Sequence, residues 1–212
     1  TLVHSAYDAK HQTFINVKSN ASLTVNETID LAANANSGAS LSVESGATVK
    51  AKSIIDTSTF ANGEGQIPLT NYGTIEVSEG IDLTTISNSG TITATTAFTA
   101  TNYLRPTDST SDKVNIKEGT TLSIENGTIS TLNVEKTNDN HDDFATISST
   151  GTLTISSATY NNADIQTNGT GTIKLANTID SDTIGNLTIE SGELTIENLN
   201  VRNLTNKAKF SS

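Results

Sequence analysis

Hydrophobic and polar residues alternate in short runs along most of the chain. Ile75 and Val77, for example, flank the charged Glu76. Such alternation is typical of a β-strand that buries one face. Segments rich in Gly, Asn and Ser, such as residues 78–80 and 87–90, separate these runs and favour turns. The pattern therefore predicts strands of roughly three to five residues, with about two or three strands in each repeat.

Similar units return at intervals along the chain. Residues 71–86 resemble residues 88–103 at an offset of 17. The apolar pairs superposed by this offset are Ile75 with Ile92, Val77 with Ala94, Ile81 with Phe98, Leu83 with Ala100 and Ile86 with Tyr103. In a solenoid each coil lies on the one before, so inward residues recur once per turn. We therefore expect each of these pairs to stack in the interior.

Two other parts of the chain repeat at different spacings. Residues 23–33 resemble residues 41–51 at an offset of 18. This offset places Leu23, Val25, Leu31 and Ala33 on Leu41, Val43, Val49 and Ala51. Nearer the C-terminus, the units TGTLTI, TGTIKL and SGELTI are 20 and 21 residues apart and end at Ile155, Leu175 and Ile196. The period drifts along the chain but persists.

These repeats predict an all-β fold. A doubly wound α/β fold is excluded, because no segment has the helical periodicity that a crossover helix needs. In an antiparallel sandwich, like positions of successive strands need not recur at a constant offset, whereas in a solenoid they must. We predict a right-handed parallel β-helix, that is, a single-stranded β-solenoid with about ten coils of roughly 17–24 residues.

Three segments interrupt the repeats. Residues 1–20 have little periodicity and are predicted to form an N-terminal cap or linker, since a terminal coil must cover its apolar end. Residues 21–212 are predicted to form the solenoid. Polar residues near 105–113 and 135–144 are predicted to be loop insertions at coil corners, where repeat arrays usually accept them.

The amino-acid composition and net charge exclude several classes of binding partner. Hydrophobic residues make up 33% of the chain and aromatic residues only 4%, which suits a thin interior. The formal net charge of −11 repels nucleic acid and anionic lipid, so neither is an expected partner. No apolar run approaches the roughly 18 residues of a membrane span, so this segment is not expected to insert into a membrane.

The recurring units NYGTIEV, NSGTITA, TGTLTI, TGTIKL and SGELTI resemble the passenger regions of autotransporters and related large bacterial surface adhesins. The resemblance covers most of the chain from about Leu23 onward. It implies a right-handed parallel β-helix that is exported by a Gram-negative bacterium and is secreted or held at the cell surface. The composition, acidic and free of Cys and Met, is also similar to that of bacterial or archaeal surface-layer proteins.

The sequence does not predict an enzyme. Catalytic β-helices of the pectate lyase type cluster several acids on one sheet face. Here the acids within predicted strands are single outward residues, such as Glu76, Asp82 and Glu190, which are typical of a solvated face. The three histidines lie far from any G-x-S-x-G turn, and GEGQ at 63–66 lacks the lysine of a phosphate-binding loop.

Two groups of residues are candidates for binding. Residues 138–143 concentrate side-chain oxygens, and Asp139, Asp142 and Asp143 are candidate Ca²⁺ ligands. Their spacing matches neither an EF-hand nor a calcium-binding nonapeptide repeat, so a simple polar loop is the competing interpretation. No other cofactor is predicted. Tyr72, Tyr103 and Tyr160 are predicted to be exposed and to offer aromatic faces on which sugar rings could stack.

Three functional hypotheses follow. The first is a non-catalytic structural and adhesive module of the cell surface, in which a rigid spacer presents loops to molecules of a host or neighbouring cell. The second is a subunit of a surface layer or extracellular filament, whose partner is a copy of itself. The third is a polysaccharide-binding or polysaccharide-active β-helix, whose partner is a glycan.

Overall fold

The computed structural model describes residues 2–3, 13–31, 39–57, 67–104, 112–137, 143–176, 183–197 and 200–208, which form strands and no helix. No helix that could cross a membrane is found in these ranges. The strands are β1 (Leu2–Val3), β2 (Thr13–Val17), β3 (Ser22–Asp30), β4 (Ala39–Val43), β5 (Thr48–Ile55), β6 (Leu69–Asn71), β7 (Thr74–Asn88), β8 (Thr91–Ala94), β9 (Ala97–Leu104), β10 (Lys113–Lys117), β11 (Thr121–Ile129), β12 (Thr131–Glu135), β13 (Ala145–Ser148), β14 (Thr152–Ile155), β15 (Ala158–Thr159), β16 (Ile165–Asn168), β17 (Thr172–Ala176), β18 (Ile184–Ile189), β19 (Glu193–Glu197) and β20 (Val201–Asn206).

All pairings among these strands are parallel. Each strand pairs with one that follows or precedes it by a circuit of the chain, and together they form one 20-stranded sheet. Parallel neighbours whose described connections contain no helix require the chain to wind around a common interior. The predicted all-β class and its solenoid-like parallel stacking are confirmed.

The pairings arrange the strands in three columns. Column A contains β2, β4, β6, β7, β9, β11, β14, β17 and β19. Column B contains β3, β5, β7, β8, β10, β12 and β15. Column C contains β1, β3, β5, β7, β9, β11, β13, β16, β18 and β20. A long strand such as β7 belongs to several columns because it bends at the corners.

The interior is built by the apolar residues of the alternating pattern. Ile75 pairs with Ile92 and both are fully buried, and the other four pairs predicted at the 17-residue offset also occupy facing positions. In the C-terminal part, Ile155 pairs with Leu175, and Leu175 with Ile196, as the 20- and 21-residue offsets predict. The buried residues form one continuous hydrophobic cluster along the stack. Stacking of like side chains thus removes apolar surface from water in every circuit.

The 18-residue offset near the N-terminus is wrong. Leu23 faces Val49, which is 26 residues on, whereas Leu41 faces Ile15 and Leu69. An offset of 18 matches a strand of column B with one of column A. Because the apolar–polar alternation is the same in every column, a shift onto the wrong column still places apolar residues on apolar residues.

The structure describes only part of the predicted segments. Strands β1 and β2 lie within residues 1–20 and pair with β3 and β4, so the sheet begins before residue 21. Of the predicted insertions, residues 105–111 and 138–142 lie outside the described residues. Lys113 already belongs to β10, and Asp112 before it is fully buried. The division into cap and solenoid otherwise stays a prediction.

Candidate functional site

A chain of buried polar side chains runs through the interior beside the apolar core. It consists of Asn71, Asn88, Tyr103, Asp112 and Ser130, all of them buried. We call this set the polar spine. The Asn71 amide donates from Nδ2 to Oδ1 of Asn88 at 2.8 Å, and the Asn88 amide donates to the Tyr103 hydroxyl at 2.8 Å. The Tyr103 hydroxyl donates to Oδ2 of Asp112 at 3.0 Å.

Local sequence explains how the spine begins. Asn71 and Asn88 each end a stretch of strand and are followed two residues later by Gly73 and Gly90. Each asparagine accepts a hydrogen bond from the backbone N–H of its glycine at 3.1 Å. This is the short-range bonding by which asparagine stabilises a turn. Its amide nitrogen also donates to the next circuit of the stack, from Asn71 to Asn88 and from Asn88 to Tyr103.

The spine ends where Ser130 donates to the Asp112 carboxylate. Besides the bond from Tyr103, Asp112 accepts the backbone N–H of Ser130 at 3.1 Å and the Ser130 hydroxyl. A buried carboxylate is costly unless its oxygens are satisfied, and here both of them are. Asp112 therefore links column A to the residue before β12, and its carboxylate has a structural role.

Burial raises the pKa of Tyr103 well above its ordinary value, and the neighbouring Asp112 charge raises the pKa further. The stabilisation that depends on the protonated hydroxyl is therefore fully present below about pH 10, where tyrosine titrates in an unfolded chain, and is lost as the pH rises above it. Tyr103→Phe removes both hydrogen bonds of the hydroxyl and is expected to lower the free energy of unfolding by about 2 kcal/mol at neutral pH.

We expect this difference between the native protein and Tyr103→Phe to shrink above about pH 10 in urea unfolding curves. Tyr72→Phe is the matched control, because Tyr72 is 48% exposed. Its unfolding free energy should follow that of the native protein at every pH. A Tyr103→Phe difference that stays constant through the alkaline range would contradict the role of the protonated hydroxyl.

Two further buried acids, Glu118 and Asp164, accept hydrogen bonds that link other circuits of the stack. Glu118 accepts the backbone N–H groups of Asp164 and Thr137 at 2.9 and 2.8 Å. Asp164 accepts the backbone N–H and the side-chain amide of Asn186 at 2.8 and 2.9 Å. The bonds from Thr137 to Glu118 and from Asn186 to Asp164 link neighbouring circuits, and the bond from Asp164 to Glu118 spans two circuits. The two acids thus satisfy buried backbone donors instead of forming an open carboxylate pair.

The exposure predicted for two of the three tyrosines is wrong. Tyr103 and Tyr160 are buried, so neither offers a ring face to a sugar. Tyr103 takes the inward position that Ile86 occupies one circuit earlier, which explains its burial. Tyr72 is exposed at the turn between Asn71 and Gly73, and stacking of a sugar on its ring stays a prediction.

The candidate calcium ligands lie at or beyond the limit of the described residues. Asp139 and Asp142 are outside them, and Asp143 is exposed. Within the part of the chain that the structure describes, no group of three or more His, Cys, Asp or Glu side chains could hold a metal ion. Calcium binding by residues 138–143 stays a prediction.

The outer face of column B carries a groove with a volume of about 580 Å³. Its side chains include Thr93, Asn115, Asn133 and Thr159, which occupy facing register positions on β8, β10, β12 and β15. We call these four residues the amide ladder. Thr95, Lys117, Glu135 and Asn161 also line the groove. The ladder residues are half-buried, so they are held by the sheet and yet reachable from solvent.

Hydrogen bonds fix the orientation of the two amides. Asn115 donates from Nδ2 to the Thr93 hydroxyl at 3.1 Å, and Asn133 donates from Nδ2 to Oδ1 of Asn115 at 2.9 Å. An amide has two donor hydrogens and an acceptor oxygen, so each asparagine keeps a second N–H for another partner. Among the described residues, Oδ1 of Asn133 accepts no hydrogen bond. The groove therefore presents oriented donors and acceptors to solvent.

No protein-family model, curated protein or solved structure matches this chain. The resemblance to autotransporter passengers accordingly remains an expectation drawn from the repeated units. Function must therefore be inferred from the geometry of the stack and of its grooves.

The amide ladder was not predicted from the sequence, although a signal was present. Asn115 and Asn133 stand at the centre of the strands KVNIK and TLNVE, between pairs of apolar residues, and are 18 residues apart. A single polar residue in an outward position indicates only a solvated surface. The recurrence of an outward asparagine in two consecutive repeats was the signal, because the strand register of a solenoid places such residues next to each other.

Proposed function

We propose that this chain is a non-catalytic module of the cell surface, a rigid spacer that holds binding surfaces away from the cell. The observation that carries the proposal is the continuous parallel stacking of column C from β1 to β20. A stack that pairs every circuit with the next resists bending, because bending would break backbone hydrogen bonds across several columns. Its partners are surface molecules or glycans of a host or neighbouring cell.

The proposal includes the finer features of the fold. We infer right-handed winding, because connections between parallel strands of one sheet are right-handed in about 98% of cases. Column C contains ten described strands, which supports a count of about ten coils. At about 4.8 Å per coil, the stack would be about 45–50 Å long. The interruptions of the repeat near residues 105–113 and 135–144 are proposed to carry the adhesive contacts.

The environment of the buried acids supports a non-catalytic role. Asp112, Glu118 and Asp164 accept hydrogen bonds from backbone N–H groups of other circuits. A general acid or base must reach the proton of a substrate directly or through one water. Carboxylates engaged inside the stack are poorly placed for that role, whereas they stabilise an elongated structure well.

Location is the first test of the proposal. Antibodies raised against the purified protein should label intact cells of the source organism as strongly as permeabilised cells. The same antibodies with an excess of purified protein provide the control for specificity. Labelling that appears only after permeabilisation would contradict a surface role.

Self-assembly is the second candidate function. β20 pairs with β18, and its Leu204, which faces the buried Leu187, is 60% exposed. Such an exposed apolar side chain favours contact with another strand, which either a further circuit or a second molecule could supply. Electron microscopy of the purified protein with and without Ca²⁺ separates the candidates. A spacer should remain as single particles, and a layer or filament subunit should form ordered assemblies.

A further inference from the structure

We infer that the groove on column B is a binding site for an uncharged oligosaccharide, which lies along the amide ladder and crosses successive strands. The inference deepens the proposed function, on which it rests for its biological setting, by naming the chemical class of the partner. It does not involve the tyrosines or the loop at 138–143.

The groove has the size and chemistry of a small binding site. Its volume of about 580 Å³ lies within the range of roughly 300–1,000 Å³ that is common for ligand sites. Apart from Lys117 and Glu135, its side chains are amides, hydroxyls and short apolar groups. Sugar hydroxyls donate and accept hydrogen bonds at once, and so do the free positions of the amide ladder.

The charges of the groove and of the chain argue against a charged ligand. Lys117 and Glu135 occupy facing register positions and carry opposite charges, so the groove has no net charge from its lining residues. This chain carries a formal net charge of −11, which disfavours polyanions such as nucleic acid or acidic polysaccharide. Glu135 is the only acid among the described residues that line the groove, too few for a divalent cation site. An uncharged ligand therefore fits the groove best, because the charges of Lys117 and Glu135 cancel.

Strand pairing argues against a peptide. One recurring way for an extended peptide to bind a sheet is to add a strand to an open edge. β10 is paired with both β8 and β12, and β12 is paired with both β10 and β15. Neither edge of these strands is open, so the ligand must be recognised through side chains. Hydroxyl groups along a sugar chain can be recognised in this way.

The ladder also defines the direction and length of the ligand. Its four residues lie on four successive strands, spaced by about 4.8 Å, so the ladder extends for about 14 Å. A single sugar ring would contact only part of it. A linear oligosaccharide would contact successive residues, and the amides would lose little entropy on binding because hydrogen bonds already orient them.

The test measures binding of purified protein to neutral hexasaccharides of glucose, mannose, galactose and N-acetylglucosamine, with a uronic acid hexasaccharide for comparison. Isothermal titration calorimetry should show that at least one neutral hexasaccharide binds, with a dissociation constant below about 1 mM. The double variant Asn115→Leu/Asn133→Leu should weaken that binding by about tenfold or more, because it removes oriented polar groups without changing side-chain size.

Asn203→Leu is the matched control. Asn203 donates to Oδ1 of Asn186 at 2.9 Å in a similar outward amide pair, but it lies outside the groove. The control should bind like the native protein, and thermal unfolding of both variants verifies that they fold. The inference is overturned if no neutral hexasaccharide binds at about 1 mM, if the double variant binds as well as the control, or if the uronic acid hexasaccharide binds more tightly than every neutral one.

These outcomes are independent of the surface labelling of cells. Failure of the sugar to bind would remove the groove as a glycan site and leave the proposed location intact. Labelling only inside permeabilised cells would remove the surface role and leave binding in solution unchanged.

Discussion

Replacing Gly90 with Ala is expected to lower the free energy of unfolding by about 3 kcal/mol. A Cβ atom at this position would lie 2.1 Å from the carbonyl oxygen of Gly73 and 2.8 Å from the carbonyl carbon of Tyr72. Both neighbours are backbone atoms of the previous circuit, so they cannot turn aside as a flexible side chain could. The two circuits would have to separate where Asn71 and Asn88 hydrogen-bond to each other.

Gly119→Ala is the matched control for the loss of glycine. Gly119 has a φ of +83°, but a Cβ atom at this position would meet no described neighbour within 4 Å, so its substitution tests backbone strain without crowding. Strain of this kind costs about 1 kcal/mol. Urea unfolding should therefore show a clearly larger loss for Gly90→Ala. Equal losses in the two variants would contradict the close approach of the circuits.

Removing the Asp112 carboxylate is expected to have an effect of similar size. Asp112→Ala would leave the Tyr103 hydroxyl and both the backbone N–H and the hydroxyl of Ser130 without this acceptor. Each buried donor that loses its partner costs about 1–3 kcal/mol, so a total loss of about 3–4 kcal/mol is expected. The effect should appear as a lower urea midpoint with little change in slope.

Asp82→Ala controls for the loss of an acidic residue. Asp82 also lies on the sheet but is exposed in column C, where it faces Thr99 of the next circuit. A surface substitution of this type should change stability by about 0.5 kcal/mol or less. If Asp112→Ala were as mild as Asp82→Ala, the polar spine would not contribute to holding the circuits together.

The fold class could be predicted from local sequence because each strand carries its own apolar–polar alternation. Between Ile75 and Ile92 the circuit is short and uninterrupted, so the offset in sequence equals the offset in the stack. Between Leu23 and Val49 the circuit is longer, and the alternation gave no means to tell one column from another. Register was therefore predictable where the sequence offset matched two strands of the same column, as it did for Ile75 with Ile92 and for Ile155 with Leu175.

The site was harder to predict because its residues are ordinary in sequence. Asn115 and Asn133 resemble many other outward polar residues until the sheet places them in facing positions. The burial of Tyr160 was not predicted either, because a tyrosine near a turn is compatible with either face of a coil.

Local sequence was enough to specify short strands with one buried face, the stacking of like residues from circuit to circuit, and a thin interior. These properties depend on alternation and period, which neighbouring residues define among themselves. Three other features required the folded chain: the assignment of strands to columns, the buried polar spine, and the amide ladder in its groove. Each of them brings together residues from different circuits, and the lengths of the intervening turns and insertions set which residues meet.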